Sequence, residues 1–269
     1  MAVLHHRSSG DGPPVVFLHG NPTSSYLWRH ILPGIGGHRL ITVDLIGMGD
    51  SDKPDIAYRL TDHIAYVEQF FDELGLRDAT VVAHDWGCAI ALDLSRRRPS
   101  LIGRLALLEG HLRPLAGWST TAVFEPIRKP GVGERMVLDE NFLLDSLLPA
   151  ALPSLSPAEL AEYRRPYPDP RSRRPLLQWA REIPVAGDPP DVAALLTSGW
   201  AALSGRDIPT LLAYATPGAV VGPDVVRWAA DTQPGLATVH LGPGGHFLPE
   251  ERPHELAAAI SRFLGVTDS

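Results

Sequence analysis

The stretch VVAHDWGCAIAL (81–92) decides how this chain is read. It opens with small and β-branched apolar residues, the composition of a strand buried on both faces, and closes with Ala-rich, helix-like apolar spacing. Between the two, with no polar lead-in, stand His84, Asp85, Trp86 and Gly87. A carboxylate at the sharp end of a core strand needs a reason. Either Asp85 caps the next helix, or a strand-to-helix turn presents it as a reactive group. His84 falls on the other side of the strand's alternation and is expected to be structural.

Outward from this junction the same rhythm recurs. Continuously apolar, β-rich runs are predicted at 15–19, 40–44, 80–84, 104–109, 210–215 and 238–242, with helix-like stretches at 61–74, 87–98 and 223–232. Thr61 and Asp62 offer a cap for the first of these helices, and Arg96, Arg97 and Arg98 before Pro99 suit a solvated helix end. Strands alternating with helices predict a mostly parallel sheet flanked by helices. The rhythm breaks from about Arg113 to Ser204, a segment rich in proline with helix-like pieces and no clear strand. It reads as a helical cap (113–204) inserted into an α/β core formed by 1–112 and 205–269.

Bulk properties narrow the classes. The 269 residues are 44% hydrophobic, enough for a sizeable core and against disorder. The 24 basic and 31 acidic residues leave a net charge of −7, which argues against a general nucleic-acid footprint. A lone cysteine, Cys88, excludes an intramolecular disulfide and a Cys-rich zinc site. MAVLHHRSSGDG (1–12) has no long apolar run, so no signal peptide, membrane span or membrane partner is expected, and the default location is the cytoplasm.

In an open parallel sheet, ligands bind beyond the carboxyl ends of the strands. The residues found there are His19 to Pro22, Asp44, Asp85 with Trp86, Glu109, Thr216 to Gly218, and His246. Ala83-His84-Asp85-Trp86-Gly87 resembles the nucleophile elbow of α/β-hydrolases, with Asp in place of Ser and Ala in place of the first Gly. His246, late in the chain in a Gly-rich turn, sits where that fold carries its base. The penultimate strand ends LLAYATPGAV without a carboxylate, and Asp224 comes several residues later. Glu109, one strand end earlier, is the candidate acid. An ionised aspartate attacks an sp3 carbon without help when the leaving group is good, and water can then cleave the resulting ester. The histidine serves the second step and the glutamate steadies its charge. A departing halide wants N–H donors, which Asn21 and Trp86 supply.

At this level of detail the chain resembles the haloalkane dehalogenases. The stretches that carry the likeness are HGNPTSSYLWR (19–29), DLIGMGDSDKPD (44–55), AHDWG (83–87), LEGHLRP (108–114), REIPVAGDPPDV (181–192) and GPGGHFLPEERP (242–253), spanning nearly the whole chain. The resemblance implies Asp85 as nucleophile, His246 as base and Glu109 as acid. It implies Asn21 with Trp86 as the halide pair, their backbone N–H groups as oxyanion hole, and Pro184 in the halide pocket. A small haloalkane and a halide ion would be the partners, and no cofactor or metal is implied. Phe124, Phe142, Leu143, Leu147 and Trp179 of the insertion are expected to line the pocket or to pack the insertion on the core. The sequence leaves the oligomeric state open.

Three departures stand out. The family's outermost first strand has no counterpart, leaving seven or eight strands. The insertion is short between Trp118 and Arg135, and Gly110-His111 is an unexpected pair after the acid. The nearest rival, an epoxide hydrolase, needs phenolic donors from the insertion, for which Tyr163 and Tyr167 are available; Asn21 favours the halide. A coelenterazine-type luciferase shares much of the same pentad. A silent receptor on this fold would have lost the nucleophile or histidine, and both are present.

Overall fold

The computed structural model describes residues 2–117 and 122–265. Among them a seven-stranded sheet runs in the order β1-β3-β2-β4-β5-β6-β7. Its strands are β1 (His6–Ser9), β2 (Pro14–Leu18), β3 (Arg39–Val43), β4 (Ala79–His84), β5 (Ile102–Leu108), β6 (Thr210–Pro217) and β7 (Leu236–Gly244). Only β1 is antiparallel, pairing with β3 at one edge; the other neighbours are parallel. All six predicted strands form. β1 is the addition, and its HRSS side chains are all exposed, so no apolar pattern announces it. Backbone pairing to β3 makes it a strand.

The central strands are buried on both faces, which is why their sequences do not alternate. Val16, Leu18, Val81, Ala83, Leu105 and Leu107 face one layer. Val15, Phe17, Val82, Ala106 and Leu108 face the other. The first layer holds α1 (Leu60–Glu73) and α2 (Trp86–Arg97). Helix α1 begins two residues earlier than a Thr61 cap requires. Arg59 is its N-cap, and Asp62 acts from inside the first turn by accepting the Arg59 N–H at 2.9 Å. The Arg96-Arg97-Arg98 end of α2 is an ion-pair cluster, bound to Asp93 and to Glu68 and Asp72 of α1.

Between β5 and β6 the described chain is helical. Short turns at Ala122–Phe124 and Pro126–Arg128 lead to two wide π-type turns, Glu134–Asp139 and Leu143–Leu147. Then come α3 (Leu148–Ala151), α4 (Pro157–Arg164), α5 (Arg174–Arg181) and α6 (Pro190–Leu203). Helix α6 returns to the core and packs along α2, with Gly199 against Leu92. After β6 the described residues form three helices, α7 (Pro223–Thr232), α8 (Leu248–Glu251) and α9 (Pro253–Leu264). Trp118 to Thr121, part of the short segment noted in the sequence, lie outside the described residues. No helix among the described residues is long and apolar enough to cross a membrane.

Candidate active site

Asp85 comes directly after β4, with φ 55° and ψ −122°, and its side chain makes no capping hydrogen bond to α2. The helix-cap explanation therefore fails. A backbone shape of this kind costs on the order of 1–3 kcal/mol and persists only where the surroundings enforce it. Gly87 is part of that enforcement: a β-carbon there would stand 2.5 Å from the Leu18 carbonyl oxygen, so only glycine lets α2 start against β2. The turn aims the carboxylate at the end of β2, where the Asn21 N–H donates to Oδ1 at 2.8 Å. His19 shapes that turn, bonding the Gly20 carbonyl through Nδ1 at 2.9 Å while its Nε2 accepts the Leu45 N–H at 3.0 Å. Asp44, also at a strand end, is structural: it accepts the Ser25 N–H at 2.6 Å and the Asp50 N–H at 3.0 Å.

The other carboxylate oxygen, Oδ2, faces two imidazoles. His246 Nε2 lies 3.4 Å away and His111 Nε2 3.6 Å away. On its far side His246 Nδ1 lies 3.6 Å from Glu109 Oε2. Glu109 is fully buried at the end of β5, with φ 41°. Its Oε2 accepts N–H groups from Ala219 (3.0 Å), Val220 (2.8 Å) and Val221 (3.4 Å). The loop after β6, which carries no carboxylate of its own in reach, thus supplies the donors that hold the one from β5. His84 also reaches the base, with its Nε2 2.8 Å from the His246 carbonyl oxygen. Burial, then the proximity of His246, pushes the His84 pKa down to about 4, so the ring stays neutral and donates.

Charge in the site is mutually determined. Burial opposes ionisation of Asp85, but His246 outweighs it, with help from His111 and His84, and holds the carboxyl well below its ordinary range. Burial likewise opposes charge on His246, yet Asp85 and Glu109 together raise its pKa to about 10. The resting pair is a carboxylate beside an imidazolium.

These groups open on a cavity of about 160 Å3 between the strand ends and the helical segment. Asn21, Asp85, Trp86, His111 and His246 line it from the core. Phe124, Leu143, Leu147, Ala180 and Ile183 line it from the insertion. Asn21 also donates through Nδ2 to the Leu176 carbonyl at 3.2 Å, and its Oδ1 is buried without a partner.

The fold agrees with that of known proteins. Residues 13–253 match the family model of the alpha/beta hydrolase fold. A haloalkane dehalogenase of Mesorhizobium japonicum is 42% identical over 96% of this chain and 86% of its own length. One from Sphingobium indicum is 40% identical over 97% of this chain and 91% of its own. Among solved structures, a haloalkane dehalogenase from Bradyrhizobium elkani superposes with a TM-score of 0.92 at 41% identity, covering 99% of both chains. The chain belongs to the haloalkane dehalogenase family. Within that family, an Agrobacterium tumefaciens member also superposes with a TM-score of 0.94, at 37% identity over 99% of this chain and 94% of its own.

Of the pocket residues expected from the sequence, Phe124, Leu143 and Leu147 line the cavity. Trp179, Phe142 and Pro184 are not among the described lining residues. Trp179 lies one layer back, fully buried and stacked on Trp86 with ring centroids 4.8 Å apart. It also stacks on His63 at 4.1 Å and donates its indole N–H to Met48 Sδ at 3.2 Å. Phe142 is half-buried and packs on the main core, leaving its successor Leu143 to face inward. Pro184 is buried and accepts the Leu115 N–H at 2.8 Å, and its neighbour Ile183 takes the cavity wall. His111 is the residue to which the sequence assigns no role. Its ring lies against Trp86 at 4.4 Å, so the indole is held between Trp179 and His111. The one signal is its position two residues past the candidate acid, on the loop leaving β5. Gly110 makes that loop possible: a β-carbon there would stand 2.2 Å from Cys88 Sγ.

Proposed function

We propose that this protein hydrolyses the carbon–halogen bond of small aliphatic halides, giving alcohol, halide and a proton through an alkyl ester on Asp85. One observation carries the reading. A buried, ionised aspartate presents one oxygen to a backbone N–H and the other to a histidine backed by glutamate, at the floor of a small apolar cavity.

In the first step Oδ2 of Asp85 bonds to the halide-bearing carbon, and the carbon–halogen electron pair leaves with the halide. The side-chain N–H groups of Asn21 and Trp86 receive that charge. In the second step water bonds to Cγ of the ester while His246 Nε2 takes its proton, and Oδ1 carries the negative charge against the Asn21 N–H. Collapse returns that pair to Cγ, breaks the Cγ–Oδ2 bond and passes the proton from His246 to the departing alkoxide. The water's other proton stays on the regenerated Asp85 carboxyl and leaves as that group ionises. Glu109, pinned by three N–H groups, steadies the imidazolium. Alkylation also erases the Asp85 charge that raises the His246 pKa, so forming the ester turns the imidazolium toward a base.

The epoxide-opening alternative loses its donors. Tyr163 is buried with its hydroxyl hydrogen bond donated to Glu250, and Tyr167 is buried beside Lys53; neither is among the lining residues. Residues 113–204 serve in this reading as the cap over a core of 1–112 and 205–269. A cytoplasmic location is part of the same proposal.

The test is bromide and acid release from 1-bromobutane, with styrene oxide in parallel. Diol without bromide refutes the reading. His246→Ala should release about one bromide per molecule and then stall, with an alkyl mass added on Asp85. An adduct elsewhere refutes the assigned roles.

A further inference from the structure

Of the titratable side chains in the cavity wall, Asp85 and His246 have tasks in the two steps above and His111 has none. It is not a surface histidine that strayed inward. It is 3% exposed, braced against Trp86, and its Nε2 is 3.6 Å from Oδ2 of Asp85. That is the oxygen His246 approaches at 3.4 Å, whereas Oδ1 is in the backbone cradle of Asn21. An ionised carboxylate only accepts hydrogen bonds, so an imidazole nitrogen facing it carries the proton. His111 Nδ1 is buried without a partner, so nothing there favours the opposite tautomer. Burial, against the pull of Asp85, keeps the ring neutral.

We propose that His111 is a further catalytic residue, whose Nε2–H donates to Oδ2 of Asp85 and stabilises that oxygen when it departs as the alkoxide of the product alcohol. The inference rests on the hydrolytic reading above and assigns a second donor to its leaving oxygen. The chemistry is unchanged in balance. Water bonds to Cγ, its proton goes to His246, the Cγ–Oδ2 bond breaks, and the His246 proton ends on the alkoxide; His111 keeps its own proton throughout. Contacts of this kind are commonly long in a resting site and shorten as charge develops.

The two steps should respond in opposite senses. A donor on Oδ2 ties up the lone pair that must attack carbon, so it slows alkylation or leaves it unchanged. The same donor speeds ester hydrolysis, because the charge it meets is larger on an alkoxide than on a carboxylate. A residue that merely props Trp86 would act on halide departure, in the first step.

Rapid-quench kinetics with 1-bromobutane separate the cases. In His111→Phe, which keeps a ring beside Trp86, the bromide burst should run at the wild-type rate or faster. Butanol formation should fall about tenfold or more, with the alkyl ester now visible by mass while His246 is intact. His111→Gln, which restores an N–H, should recover part of that loss. A slowed bromide burst with normal hydrolysis, or butanol formation at the wild-type rate, overturns the proposal. Histidine 15N NMR of the wild-type protein decides it without any variant: Nε2-protonated neutral His111 is expected, and the Nδ1-protonated form overturns it. Wild-type protein that releases no bromide overturns the hydrolytic reading and this role with it; a wild-type burst unaffected by His111 overturns this role alone.

Discussion

The floor of the cavity and its roof are made of different material. The floor comes from four strand ends of one sheet, and it carries Asn21, Asp85, Glu109 and His246. The polar groups of these residues are tied to other elements: Asp85 to the Asn21 N–H, Glu109 to N–H groups of the loop after β6, and the His246 carbonyl to the His84 ring. The roof comes from a single insertion of short helices and π-type turns and presents Phe124, Leu143, Leu147, Ala180 and Ile183, all apolar. A reaction that makes and breaks charge needs its donors fixed before the charge appears. A sheet whose neighbouring strands lock one another's register provides that; the insertion provides shape and dryness. The two regions should therefore fail differently when altered.

Removing the floor's central group should have the largest effect. Asp85→Ala should lower bromide release by at least about 10⁴-fold and form no covalent adduct. Because the resting carboxylate lies buried in a strained turn, the variant should still fold, which its melting temperature and circular dichroism would report. Turnover within tenfold of wild type would mean the nucleophile is elsewhere. Asn21→Ala is the next step down. It removes the side-chain donor but leaves the backbone N–H on Asp85, so the cost should be about 2–4 kcal/mol in the barrier to halide departure. The bromide burst measures this directly, and an unchanged burst would move the halide site away from Asn21.

The reason the floor is legible in the sequence and the roof obscure is physical. Strands buried on both faces write long apolar runs, so VVAHDWGCAIAL shows its polar residues as exceptions, and the exceptions are the site. Asn21, Asp85, Glu109 and His246 each lie just past the end of an apolar run, which is where a reader of the sequence can look for them. His111 has no such marker, because it lies on a loop where no period says which way a side chain points. The roof is obscure for a related reason. On π-type and short helical turns, neighbouring residues such as Phe142 and Leu143 exchange inward and outward places with a small change of phase. Strand β1 escapes detection because its exposed HRSS sequence carries no hydrophobic pattern, and only its ladder to β3 defines it.

The floor's charge balance makes a pH prediction that the roof does not. In the resting protein the His246 pKa is raised from 6.5 to about 10, and Asp85 is held below its usual range. A raised folded-state value means that His246 contributes stability in full below its ordinary pKa and loses it as pH climbs toward the raised one. Wild-type melting temperature should therefore fall between roughly pH 6.5 and 10 more than that of His246→Ala. In kinetics, alkylation should be flat over roughly pH 5 to 9, where Asp85 stays ionised. Ester hydrolysis should rise with pH through an inflection below the resting His246 value, because the ester no longer supplies the Asp85 charge. An inflection at or above that value would show that Asp85 does not control the base.

The smallest effect on chemistry should come from the roof. Leu147 sits at the end of a π-type turn, half-buried, and lines the cavity from the insertion. Its side chain offers the reaction no donor of its own. Leu147→Ala enlarges a cavity of about 160 Å3 by the volume of three methyl-sized groups, at most. The rate of ester hydrolysis for 1-bromobutane should stay within about threefold, since no transition-state donor is lost. What should change is discrimination. Each methylene that gains or loses a snug apolar contact is worth about 1–3 kcal/mol, so kcat/KM for 1-bromohexane relative to 1-bromobutane should rise by about tenfold. That shift should sit in KM, because uniform binding is lost or gained rather than charge stabilisation. If kcat for both substrates instead collapsed together, the roof would be positioning the reacting carbon, and the division between a floor that reacts and a roof that selects would not hold.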